Sequence, residues 1–96
     1  MRPSLALDMN RSAVREAVSC FRAANPRVFG SVLRGTDHDG SDLDLLVDAL
    51  PGATLLDLGD LEYELNTLLG VRVDLRTPSD LPPKWRAQVL AQAQPV

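Results

Sequence analysis

Gly30-Ser31, followed after ten residues by Asp42-Leu43-Asp44, gathers most of the chemistry this chain can offer. Two aspartates separated by one residue on a strand point to the same face. Their Cβ atoms then lie ~6–7 Å apart, which suits a divalent cation held between them. Aspartate is a poor strand former, so the competing reading is a solvated face of an edge strand. Gly30 has no Cβ and lets the backbone approach a phosphate. Ser31 would open a helical turn whose free N–H groups favour an anion. Arg34, one turn on, could reach the same phosphates. Metal beside phosphate is the equipment of nucleotidyl transfer.

Asp74 adds a third carboxylate. It sits in the alternating segment Val71-Arg-Val-Asp-Leu-Arg76, opposite the apolar side chains. If that segment pairs beside residues 42–48 with apolar faces aligned, Asp74 joins Asp42 and Asp44. Three such charges repel one another unless cations neutralise them. Two Mg²⁺ ions ~3.5–4 Å apart would do so and clamp an in-line displacement. The competing reading is an ion pair of Asp74 with Arg72 or Arg76, which is compatible with catalysis. A calcium loop starting at Asp37 fails on spacing, with Asp42 where glycine is needed and Asp48 where glutamate is needed. His38 has no ligand partners at metal-binding spacing and reads as a solvated loop residue. Cys20 reads as a packed thiol.

The elements that must position these groups follow from periodicity. A helix is expected over residues 12–24, with Val14, Ala17, Val18 and Phe21 inward, Ser12 as its cap and Asn25-Pro26 as its stop. Arg27-Val28-Phe29 is a short strand into Gly30, and residues 31–34 form a helical turn closed by Gly35. Residues 42–48 form a second strand, with Leu43, Leu45 and Val47 on one face and Asp42, Asp44 and Leu46 on the other. A second long helix spans 55–69, capped by Thr54 and Asp57, striped by Leu58, Leu61, Leu65, Leu68 and Leu69, and ended by Gly70. Gly59 inside it predicts a separate or kinked first turn. Residues 71–76 form a third strand. A last helix over 82–93 turns Trp85, Val89 and Leu90 inward. The expected architecture is α+β: one domain over residues 1–96, with a small mixed sheet of three to four strands covered by helices on one side.

Composition narrows the function. The chain has 96 residues, enough for one modest core and no acceptor lobe. A transferase of this size would take its acceptor from another molecule. Net charge is −3, so direct nucleic-acid binding is not expected, whereas a nucleotide remains compatible because Mg²⁺ reverses the local sign. Nine of the ten basic residues are arginine, Lys84 being the exception. A single cysteine excludes an intrachain disulfide, and no signal-peptide or membrane-spanning run is apparent. A cytoplasmic location is expected.

Taken together, Gly30-Ser31, Asp42-x-Asp44 and Asp74 resemble the DNA polymerase β-like nucleotidyltransferase superfamily. The wording FGSVLRG…SDLDLLVD, the segment from Gly70 to Leu75 and the closing Leu81-Pro-Pro…Val89-Leu90 resemble its minimal members, the MNT domains, over residues 12–92. Leu33 departs from the alanine many relatives carry before Arg34-Gly35. The resemblance implies the polymerase β-like fold, with Asp42, Asp44 and Asp74 as catalytic metal ligands and Asp74 also helping to deprotonate the attacking hydroxyl. Gly30 and Ser31 would hold the β- and γ-phosphates of ATP. It further implies an antitoxin that transfers AMP from ATP to a tyrosine of a HEPN RNase toxin. Two other readings remain: an antitoxin that neutralises its partner by binding alone, and a transferase for a small hydroxylated molecule.

Overall fold

Alternating apolar residues in the strands and helical stripes elsewhere leave one face of each element to bury. The computed structural model, which describes residues 1–96, resolves this as an α+β fold around one four-stranded mixed sheet. Strands β1 (Ala23–Phe29), β2 (Leu43–Ala49), β3 (Val73–Arg76) and β4 (Gln94–Pro95) lie in the order β3-β2-β1-β4. β1 is antiparallel to both β2 and β4, and β2 is parallel to β3. Helices α1 (Pro3–Asp8) and α2 (Arg11–Cys20) precede the sheet, and α3 (Gly30–Arg34) follows β1. The parallel pair is joined through α4 (Leu55–Leu69), the crossover such a pair needs. A 3-10 turn at Pro78–Asp80 leads to α5 (Pro83–Gln92).

The core forms between α2, α4 and one face of the sheet. Val14 and Val18 meet Leu43, Leu45 and Val47 from β2 and Leu61, Leu65 and Leu69 from α4. Leu46 points the other way and is nevertheless fully buried, outside that core, as is Leu81 at 4% exposure. The 3-10 turn packs on β2 there. The second face is therefore closed at Leu46 and not bare along its length, which corrects the expectation of a sheet covered on one side.

α4 keeps the expected limits because both ends are specified. Thr54 N donates to Asp57 Oδ2 at 2.9 Å and Asp57 N donates to Thr54 Oγ1 at 3.2 Å, a complete capping box. Gly70 closes the helix in the left-handed conformation. The helix runs unbroken through Gly59, so no separate first turn forms. Leu68 is exposed and drops out of the stripe. α4 also seals the outer edge of β3: Asn66 Oδ1 accepts from Val73 N at 3.1 Å, and Glu62 Oε2 from Leu75 N at 2.9 Å.

Four expectations are corrected at the periphery. α2 begins at Arg11 after Asn10, with Ser12 already inside, and ends at Cys20 rather than 24. Arg22 turns the chain with φ +57°, and Asn25-Pro26, read as a helix stop, forms a bulge within β1. A proline without an N–H is tolerated at such an irregularity. Cys20 is exposed because it lies off the Val14/Val18 stripe. Trp85 is 51% exposed and α5 contains no buried residue, Val89 and Leu90 being half-buried. Polar contacts secure this helix instead: Arg86 donates to the carbonyls of Pro78 at 2.9 Å and Leu81 at 3.0 Å.

α1 and β4, neither of them foreseen, close the ends. Asp37, a loop residue only 5% exposed, accepts from Ser4 N at 2.9 Å and pairs with Arg2 at 3.3 Å. That backbone hydrogen bond, foremost, holds its carboxyl below the ordinary range. No helix is long and apolar enough to cross a membrane.

Candidate active site

Strand register decides which carboxylates meet. Asp44 is the partner of Asp74 in the parallel ladder and of Phe29 in the antiparallel one. Directly opposed residues share a face, so Phe29, Asp44 and Asp74 form a row across three strands. β1 ends at Phe29, and Gly30 turns the chain with φ +74°. A Cβ on Gly30 would stand 2.9 Å from the Asp44 carboxyl carbon, and nearer still to its Oδ2. Glycine is thus required at position 30 both by the backbone angle and by Asp44. Ser31 follows as the second residue of α3, and Gly35 ends that turn at φ +73°, as expected.

Asp42 lies just before β2, one residue outside the strand expected to contain it. Its Oδ1 is 3.8 Å from Arg72 Nε, and both side chains are well exposed. Arg76 donates from Nε and Nη2 to the two oxygens of Asp74, each at 3.3 Å. Arg34 is exposed, forms no hydrogen bond or ion pair within the protein, and acts on Asp44 only through its charge. His38 is exposed in its loop, as expected.

The electrostatics centre on Asp44. Burial, then the charges of Asp74 and Asp42, push its carboxyl up to about 6, against the opposing pull of Arg76 and Arg34. The hydrogen bond to Asp74 raises Arg76 further above its ordinary value, keeping it charged. Asp44 and Asp74 stand side by side with Asp42 close by, but no three acidic, histidine or cysteine groups are gathered in metal-holding geometry. Asp74 faces Arg76 and Asp42 leans towards Arg72 instead. The donor set is all carboxylate oxygen, the chemistry that Mg²⁺ prefers. A cation beside Asp44 would relieve the repulsion that raises its pKa. The residues therefore fit such an ion by chemistry, with Asp42 and Asp74 having to turn from their arginines.

Two cavities flank the row. One, of about 230 Å³, lies between α3 and α5 and is lined by Phe29, Gly30, Leu33, Arg34, Val89 and Gln92. The other, of about 210 Å³, lies beside β3 and is lined by Leu58, Glu62, Leu75, Arg76 and Thr77, among others. Phe29 was not singled out from sequence, although its place directly before Gly30 was the available signal.

The nucleotidyltransferase domain family matches residues 11–94. The chain belongs to the nucleotidyltransferase domain family. This nucleotidyltransferase is 39% identical over 66 residues to a Methanocaldococcus jannaschii protein provisionally named a protein adenylyltransferase, covering 69% of the chain and 71% of that relative. It is 48% identical over 54 residues to the protein adenylyltransferase MntA of Thermococcus cleftensis, covering 56% of the chain and 54% of MntA. The chain thus spans about half the length of MntA. Among solved structures, one provisionally described as a minimal nucleotidyltransferase superposes with TM-score 0.86 at 45% identity, covering 97% of this chain and 95% of that one. A toxin–antitoxin structure with AMP-PNP shares the fold at TM-score 0.75 and 24% identity, over 90% of this chain and 71% of that one.

Proposed function

We propose that this nucleotidyltransferase transfers AMP from Mg²⁺-bound ATP to a hydroxyl, a tyrosine of a HEPN-type RNase toxin, and so acts as the antitoxin of a cytoplasmic toxin–antitoxin pair. The observation that carries the transfer half is the pairing of Asp44 with Asp74 in register, with Gly30 packed against Asp44. The naming of relatives as protein adenylyltransferases supports a protein acceptor.

Asp42, Asp44 and Asp74 are the residues that would hold two Mg²⁺ ions, which when bound supply charge neutralisation and polarise the phosphates. Gly30 offers backbone space and Ser31 a hydroxyl and N–H to the β- and γ-phosphates. Arg34, free of other partners, adds a mobile positive charge beside them. Asp74, once released by Arg76, accepts the proton of the attacking hydroxyl. Arg76 then remains beside the reacting phosphate as a fixed cation.

Intact mass of the partner toxin, co-incubated with the protein and Mg²⁺-ATP, tests this reading. Mass increments of one or more AMP are expected, located on a tyrosine and abolished by Asp44→Asn. An unmodified toxin that is nonetheless neutralised would replace transfer with simple binding.

A further inference from the structure

The cavity between α3 and α5 adjoins the candidate phosphate site, and four of its lining residues, Phe29, Leu33, Val89 and Gln92, have no role there. It shares Gly30 with the phosphate turn and Phe29 with the row containing Asp44. Aromatic Phe29 and aliphatic Leu33 and Val89 line it together with the polar Arg34 and Gln92. The amide of Gln92 makes no hydrogen bond within the protein, although its backbone carbonyl accepts one from Gln94. At about 230 Å³ the space is below the ~300 Å³ where sites for whole drug-sized ligands begin. It suits a planar ring system and not an entire nucleotide. An aromatic wall, two aliphatic side chains and one free amide that both donates and accepts are what a heteroaromatic base requires for stacking and edge recognition.

The cavity's place in the row fixes which planar group it would take. Gly30 touches Asp44 on the β1 side, whereas Asp74, the proposed proton acceptor, stands on the β3 side. On the proposed roles, the phosphates at Gly30 and Ser31 put the donor nucleotide on the first side, and proton transfer to Asp74 puts the attacking hydroxyl on the second. We infer that the cavity bounded by Phe29, Leu33, Val89 and Gln92 receives the nucleobase of the donor nucleotide and that the Gln92 amide discriminates between bases. This inference rests on the nucleotidyltransferase reading above. It also gives α5, which buries no residue, a functional reason to be held where Arg86 holds it.

The test is calorimetric binding of Mg²⁺-ATP, Mg²⁺-GTP and Mg²⁺-tripolyphosphate to the full chain. Val89→Trp, which fills the cavity, is expected to weaken ATP binding roughly tenfold or more while leaving tripolyphosphate affinity as in the wild type, which also shows the variant is folded. Gln92→Leu is expected to narrow the difference between ATP and GTP. Equal losses for ATP and tripolyphosphate, or unchanged ATP affinity in both variants, overturn the assignment. So does unchanged ATP affinity with a raised KM for the acceptor protein, which would give the cavity to the acceptor side chain. Because the readout is binding, wild-type protein that binds ATP in this way but transfers no AMP would sink the transfer reading and leave the cavity assignment standing.

Discussion

Gly30 leaves no space for a side chain between itself and Asp44. An added Cβ would press on the carboxylate, and φ +74° is strained for any other residue. Gly30→Ala is therefore expected to lower stability by about 1–3 kcal/mol and to abolish nucleotide binding. Denaturant unfolding and nucleotide titration measure the two effects. A variant that binds ATP normally would show that Asp44 is free to move aside.

Asp44→Asn should stabilise the metal-free protein. The folded carboxyl is raised from 3.8 to about 6, so the folded state binds its proton more tightly than the unfolded chain does. The resulting penalty is absent below about pH 4, grows between about 4 and 6, and is complete above that window. Asp44 is only half-buried, so solvent screening trims the gain from asparagine to roughly 1 kcal/mol at neutral pH. Thermal melting in a chelator at about pH 8 should show the gain, and melting at about pH 4 should show none. A lower melting temperature at both would give Asp44 a structural role.

Arg76 competes with any cation for Asp74. Arg76→Gln removes the competitor and a nearby positive charge together, so apparent Mg²⁺ affinity should rise by roughly three- to tenfold. On the proposed mechanism transfer should nevertheless slow, because the cation assigned to the reacting phosphate is lost. Magnesium titration followed by melting temperature, alongside turnover, separates the two. Weaker magnesium binding in this variant would contradict the competition.

Asp37→Asn is expected to loosen α1. The folded carboxyl lies below its ordinary range, so its contribution is present above the unfolded value and is lost as pH falls through the folded one. Hydrogen exchange at Leu5 to Leu7 should rise selectively in the variant, and in the wild type only on strong acidification. Uniform exchange across the sheet would instead implicate global unfolding.

The elements around the candidate site were legible in sequence where local chemistry settled the matter. The alternation from Leu43 marked β2, Thr54 with Asp57 and Gly70 marked both ends of α4, and Gly35 marked the end of α3. Legibility failed where tertiary contacts prevailed. Asn25-Pro26 carries a helix-stop signature, yet the ladder to β2 recruits it as a bulge. Trp85 reads as core, but α5 packs on the 3-10 turn and buries none of its residues, which leaves the ring half in solvent. α1 is six residues long and held by a carboxylate more than thirty residues away, so no local pattern could announce it. Arg76 was visible only as one of two partners for Asp74, and register chose it over Arg72.

The sealing of β3 by Glu62 and Asn66 has a consequence for assembly. With the Val73 and Leu75 N–H groups taken by α4 side chains, the β3 rim cannot be extended by a strand from another protein. On the proposed transfer reading, a partner reaches the carboxylate row by offering a protruding side chain to it rather than by adding a strand beside β3. The tyrosine proposed as acceptor would meet that demand at the end of a flexible tail or on an exposed helix.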